Sequence, residues 1–564
     1  MKDKLEFFAI LQDVDGREAA ELNRLLGDYD FNRYVIKITQ YAAGESDQFL
    51  PVIVRVNHAV SGFPESLLAS PIRRTALEDY LARTLSGAIQ RQATFNAQGV
   101  ARRRIVAPHP GQKILPRSTV QIADDYTDVR LRLLVPRQRD RIDGAALQTV
   151  FFDDLPVIVQ EALLYCNMDG ADVERFVGLM EDVDEIRQGL AARGLISFVG
   201  AGSMLFRQSG SDLPDYEAEQ ILDADPSRLQ QFETSSGRVV KGVGISAGVT
   251  LILGDDYSGR VELMRAIAAG IYNHIPGDGR EYIVTMPDTV YVAADPGRSV
   301  QRVDLGCLLG EADFSAAHAD AAHAQAASLV EGLEAGARVI VLDESDSCPG
   351  FLGSDARLEA LAGRPARLTP LAARAQQLFR ELGVSTVVAG RHAVGSFIPV
   401  ADVVLLLENG VLRDITAEAK AAWTGASEPE APAYDLTQLV ETARWLIPPS
   451  IDSCVGRRDG VIDAPDAETL IFGRHTITLG ATRQIADVHQ ALTIGLIIEY
   501  ARQRYLDEPR PIRELLDLVE RDLSTEGLDP ITRELRGDLA RPRRYEIAAA
   551  LNRLPSLRVS RAAL

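Results

Sequence analysis

Between residues 235 and 425, short apolar runs alternate with amphipathic stretches. VTLILG (249–254), EYIVTM (281–286), ARVIVLDE (337–344), STVVAG (385–390) and ADVVLLLENG (401–410) have the length and β-branched content of buried strands. AQAASLVEGLEAG (324–336) and LAARAQQLFRELG (371–383) between them have helical periodicity. Strands that are apolar on both faces and separated by helices predict a mostly parallel sheet with helices on its faces. The predicted class is therefore α/β for this core, set at 236–427. Around it we expect an α+β N-terminal domain over 1–150, a helical connecting region with a strand over 151–235, and a mainly helical C-terminal domain over 428–564.

In the N-terminal part, EAAELNRLLGDYDF predicts an amphipathic helix ending near Gly27, YVIKITQ (34–40) and LPVIVRVNHAV (50–60) predict strands, and 71–92 predicts a helix. MEDVDEIRQGLAARG predicts a helix stopped at Gly194. The chain has 564 residues and a net charge of −20, so any contact with nucleic acid needs a local basic patch. Residues 101–145 carry ten basic and five acidic residues, which fits either a solvated face or a polyanion contact. The candidates for such a contact are Arg73, Arg74, Arg102, Arg103, Arg104, Lys113 and Arg117, with Arg541, Arg543 and Arg544 near the other end. The four cysteines have no metal-ligand spacing, and no run reaches ~18 apolar residues, so we expect a cytoplasmic protein with no membrane partner.

Two segments carry chemistry. In VTLILGDDYSGRVELMRAI (249–267), a strand enters a glycine-bounded loop and then a helix. Gly254, Asp255, Asp256, Tyr257, Ser258, Gly259, Arg260, Val261 and Glu262 follow the phosphate-loop spacing G-x4-G-K-[ST], in which backbone N–H groups and a helix start cradle phosphates. Arginine stands here for the lysine and valine for the Mg²⁺-binding hydroxyl. In ARVIVLDESDS (337–347), an apolar strand ends in Asp343-Glu344, the arrangement that positions Mg²⁺ and the attacking water in such sites. The same pair also fits a plain helix start.

Further segments have a recognisable pattern: GFPESLLASPIRRTALEDYL (62–81), RGLISFVGAGSMLFRQSG (193–210), GIYNHIPGDGREYIVTMPD (270–288), ASLVEGLEAGARVIVLDE (327–344) and GDLARPRRYEIAAALNRLPSLRV (537–559). On these the chain resembles the predicted ATPases of the ABC class over nearly its whole length. The resemblance implies an ABC-type P-loop domain, ATP and Mg²⁺ as ligands if the site functions, two-fold assembly with itself or an active paralogue, and RNA binding in some relatives. It also implies a signature-like segment at DAAHAQAA (320–327), with Asp320, Ala321 and Gln325. Typical members read GGGYHGKST where this chain has GDDYSGRVE, and Asp320 replaces a signature serine. His392 stands either as a switch histidine or as polar surface, and Lys241 is the one nearby lysine able to replace the missing one. Two readings follow. In the first, a degenerate homologue with weak or no hydrolysis serves as a binding protein. In the second, an active ATPase uses Arg260 in place of lysine and Glu344 to position water.

Overall fold

A computed structural model describes residues 1–41, 48–92, 94–95, 101–102, 104–218, 221–255, 257–353, 368–423, 431–458 and 460–561. It divides into two compact units, Met1–Glu181 with Glu526–Arg541, and Asp182–Thr525 with Pro542–Leu564.

The first unit is built on a seven-stranded sheet. Its long central strands Phe49–Asn57 and Tyr126–Leu134 pair antiparallel over their full length. The helix Pro71–Arg91 starts at Ser70, whose hydroxyl accepts the Arg73 N–H, with proline in the first turn. The expected helix over EAAELNRLLGDYDF is corrected. Ala19–Leu25 is a 3-10 turn, and Gly27–Asp30 is a strand paired with Val35–Ile38. The alternation Asp28-Tyr29-Asp30, with only Tyr29 buried, has period two, and a sheet partner decides the matter.

In the second unit, the strands are β1 (Asp223–Ala224), β2 (Val249–Leu253), β3 (Thr289–Tyr291), β4 (Val339–Asp343), β5 (Ser385–Gly390), β6 (Val403–Glu408) and β7 (Val411–Asp414). Their order across the sheet is β1-β7-β6-β2-β5-β4-β3. All neighbours are parallel except the β6–β7 hairpin. The helices that matter for the site are α1 (Arg260–Ala269), α2 (Ala321–Glu334) and α3 (Ala372–Leu382). Period-two alternation divides the core. Leu251, Ile340, Leu342 and Val388 pack with Leu329, Leu333 and Leu378 of α2 and α3. Ile252, Val341, Val387 and Leu405 pack with Leu263, Met264 and Ile267 of α1. This is the sheet expected from the strand pattern, with one correction. EYIVTM does not join it: Ile283–Thr285 pairs antiparallel with Leu195–Gly200 in a separate four-stranded sheet, and β3 takes the outer place.

The C-terminal part has the expected helices Val488–Tyr505, Ile512–Thr525 and Arg544–Arg553. It also has two three-stranded sheets, Ile462–Asp466/Thr469–Phe472/His475–Thr478 and Arg510–Pro511/Trp445–Leu446/Val559–Ser560. Buried ion pairs tie it to the core: Arg444 meets Glu334 of α2, and Arg553 lies 2.8 Å from Asp295.

In the first unit, the Glu78 carboxylate accepts the Ile122 N–H at 2.8 Å, and burial pushes its pKa from 4.5 up to about 7. The native state therefore holds a proton that the unfolded chain releases, and stability falls as pH rises through that window. Glu78→Gln is expected to unfold like wild type in urea below pH 4.5. At pH 8 it should be more stable by about 1–3 kcal/mol. Urea titrations at both pH values check this.

Candidate nucleotide site

The loop between β2 and α1 has the phosphate-loop shape. Gly254 leaves β2, and a Cβ there would lie 2.6 Å from the Ser258 hydroxyl. Gly259 precedes α1 with φ +82°, a left-handed backbone that glycine adopts without strain. Its amide-rich turn, however, is closed from within. The Asp255 carboxylate accepts the Tyr257 N–H at 3.0 Å, and the Ser258 hydroxyl donates to the Asp255 carbonyl at 2.8 Å. An internal carboxylate thus uses an amide of the kind that a phosphate loop offers to its ligand. Tyr257 is 90 % exposed at the tip. Asp256 lies outside the described residues.

Arg260 opens α1 and turns inward. Its guanidinium forms an ion pair with the Asp343 carboxylate at the end of β4, and the two side chains are 2 % and 0 % exposed. The other Asp343 oxygen accepts the Ser345 N–H at 2.9 Å and the Ser345 hydroxyl at 2.6 Å. The sequence reading treated these two residues as a phosphate contact and a metal position. The fold brings them together, as partners of each other.

Glu344 is held just as firmly. Its Oε2 accepts the N–H groups of Arg391 (2.6 Å) and His392 (2.9 Å), and its Oε1 accepts that of Ala393 at 2.7 Å. These amides follow β5, the strand lying between β2 and β4. Burial works against the charge, but the three N–H groups hold its pKa below the ordinary 4.5. His392 therefore serves this carboxylate through its backbone; its side chain is exposed.

The signature-like residues have local partners too. Asp320 caps α2 by accepting the His323 N–H at 3.0 Å, and pairs with the His323 ring at 2.8 Å. Ala321 is the first residue of α2. Gln325 is fully buried and secures the segment after β4, donating to the Ser347 hydroxyl at 3.0 Å and accepting the Cys348 N–H at 2.7 Å. Lys241 is exposed on Val239–Ser246, in the four-stranded sheet rather than beside the loop. Glu262 sits half-buried in the first turn of α1, and Val261 beside it carries no oxygen.

Behind the loop lies a cluster of charged residues that the loop motif itself does not contain. Arg207 bonds the Asp278 carbonyl and carboxylate, each at 2.8 Å, and His274 meets that carboxylate at 2.7 Å. Arg280, whose pKa burial lowers to about 10, donates to the Leu205 carbonyl. The cluster fixes Leu205 and Phe206, and a Cβ on Gly259 would come within 3.2 Å of the Phe206 ring. The sequence signal for the cluster is the run NHIPGDGR, with two glycines and an Asp and an Arg in eight residues.

Several of the arginines proposed for a polyanion contact lie beside carboxylates. Arg73 meets Glu181 at 2.6 Å, Arg74 meets Asp124 at 3.3 Å, and Arg104 meets Asp154 at 3.5 Å. Arg117 is buried 4.0 Å from Asp79, while Lys113 is half-buried. Arg543 pairs with Glu546, and Arg544 with Asp517 at 2.7 Å. Arg103 lies outside the described residues, and Arg102 is described in its backbone alone.

The ligand implied by a loop of this shape is a Mg²⁺-bound triphosphate. The donor set does not fit it. Val261 offers no oxygen, Asp343 is neutralised by Arg260, and Asp255 brings a carboxylate into the cradle. Among the described residues, no group of three His, Cys, Asp or Glu is placed to hold a metal, and no helix is long and apolar enough to cross a membrane.

Glu344→Gln is expected to cost about 1–3 kcal/mol of stability at pH 7, because a neutral amide satisfies the three N–H donors less well. A depressed pKa means the contribution is present above pH 4.5 and fades as pH falls below it. Unfolding titrations at pH 7 and pH 3.5 test both statements; faster amide exchange at 391–393 in the variant is the accompanying signature.

Comparison with known proteins finds three family regions along the chain. The P-loop domain of ABC ATPases matches residues 169–441, the N-terminal region of ATPases of the ABC class matches 4–166, and the MRB1590 C-terminal domain matches 461–560. An uncharacterised protein of Methanocaldococcus jannaschii is 31 % identical over 108 residues, which is 18 % of this chain and only 24 % of that relative's length. A bacterial Atm1-family ABC exporter solved with ATP bound is similar at 14 % identity over 50 % of this chain and 53 % of its own, with a TM-score of 0.21, too low to bear on geometry. With consecutive family regions matched from residue 4 to residue 560 and a phosphate-loop core in the middle, the chain belongs to the ATPases of the ABC class.

Proposed function

We propose that this protein is a degenerate ABC-class ATPase homologue that does not turn ATP over and acts as a binding protein, paired with a second copy or with an active paralogue. The observation that carries the reading is the buried Arg260–Asp343 ion pair. Hydrolysis needs the carboxylate after β4 to hold the metal and the next one to orient water. Here the first is neutralised by an arginine and the second is bound by three backbone N–H groups. An arginine fork is not a like-for-like replacement for a lysine ammonium, and valine next to it cannot ligate Mg²⁺. What is left for a nucleotide is the backbone around Gly259, which supports at most weak and Mg²⁺-independent binding.

Calorimetry on the purified protein tests this. ATP should give the same small or undetectable heat with Mg²⁺ as with EDTA, and turnover should lie well below ~1 s⁻¹, the low end for ordinary enzymes. In the variant R260K/V261S/E262T, Mg²⁺-dependent ATP binding is expected to appear, since the hydroxyl returns and Asp343 loses its arginine. Mg²⁺-dependent turnover at or above ~1 s⁻¹ in the wild type, with a dimer trapped on ATP by Glu344→Gln, would overturn the reading.

A further inference from the structure

A cavity of about 340 Å³ opens in the first unit, far along the chain from the phosphate loop. Phe31, Tyr34, Phe152 and Val159 line it, with Lys4 and Arg33 at its edge. The turn between the strands Gly27–Asp30 and Val35–Ile38 builds one wall. Asn32 has φ +68°, and its N–H is held at 2.7 Å by the Asp30 carboxylate. The Phe31 N–H donates to the Tyr34 carbonyl at 2.9 Å. This tight turn brings the Phe31 and Tyr34 rings together, nearly parallel at 18° with centroids 5.4 Å apart. Phe152 completes the wall, 5.4 Å from Phe31. It comes from Val150–Asp154, a single π turn inserted between the helices Gly144–Thr149 and Leu155–Leu163. Such turns are rare and concentrate at functional sites, because they spend helical hydrogen bonding to re-aim a side chain.

The lining of the cavity also carries positive charge. The protein's other arginines near helices are mostly paired with carboxylates, as Arg73, Arg74 and Arg104 are. Lys4 and Arg33 are exposed, and among the described residues neither has an acidic partner. Two such cations therefore stand together beside one aromatic-lined cavity. The volume falls within the roughly 300–1,000 Å³ of small-molecule sites, which join apolar walls to a few placed polar groups.

We propose that this cavity binds a small planar aromatic anion, its ring against Phe31, Tyr34 and Phe152 and its charged group between Lys4 and Arg33. A planar ring would pack chiefly on the half-buried Phe152, beside the small exposed parts of Phe31 (9 %) and Tyr34 (7 %), and an anion gains from two cations beside a low-dielectric surface. The shared chemistry is a flat ring with one anionic substituent, carried either by a nucleoside monophosphate or by an aromatic carboxylate. The proposal does not depend on what the phosphate loop does.

The test is calorimetry on the full chain at low salt with uridine 5′-monophosphate, indole-3-carboxylate and neutral indole. At least one anion should bind with Kd below about 1 mM, while indole binds at least tenfold more weakly. K4A/R33A should weaken the anion about tenfold or more with unchanged thermal unfolding, since both residues are exposed. Phe152→Leu should weaken it while keeping the salt dependence, and Arg260→Lys should leave it unchanged, which separates this cavity from the phosphate loop. No binding of either anion by the wild type, or equal binding by K4A/R33A, would overturn the proposal.

Discussion

At the carboxyl end of the seven-stranded sheet, two strands bring a cation and an anion into the same dry space. Arg260 arrives at the start of α1 and Asp343 at the end of β4, with β5 between their strands. Neither charge is stable there alone, because removing an ion from water costs several kcal/mol after relaxation. Each therefore needs the other, and the sheet topology fixes the meeting. In an intact phosphate loop, metal and phosphate bring the balancing charge from outside. Here the balance is internal.

The neighbouring polar groups follow the same logic. Glu344 is spread over three amides after β5, Asp255 over an amide of its own loop, and Gln325 over the segment after β4. Each of these groups has a partner from the same chain. The architecture persists because its core lies elsewhere, in the alternating apolar residues of β2, β4 and β5 against α1, α2 and α3.

Much of this was legible in the sequence, and the reasons for the rest are physical. The strands β2, β4, β5 and β6 were readable because short runs dominated by apolar residues mark strands covered on both faces. The exchange of lysine and serine for Arg260 and Val261 was plain in the letters. That Arg260 would turn onto Asp343 was not, because an 83-residue separation closes only in the folded sheet. Ile283–Thr285 was assigned to the wrong sheet because three apolar residues do not reveal their partner. The strand Gly27–Asp30 was hidden in a helical-looking run whose leucines fit a 3-10 turn equally well. The carboxylates beside basic residues of 101–145, such as Asp154 for Arg104 and Asp79 for Arg117, were not legible because they lie at separations the sequence does not show.

The central claim is that Arg260 and Asp343 are each other's counter-ion, and a double-mutant cycle measures that coupling directly. Urea unfolding of wild type, R260M, D343L and the double variant gives the four stabilities. The account predicts that each single change costs about 3–5 kcal/mol by stranding a buried charge. The double change should cost well under the sum, with a coupling of about 2 kcal/mol or more. Additive costs, with coupling inside about 0.5 kcal/mol, would contradict it and return Asp343 to the pool of groups free to hold a metal.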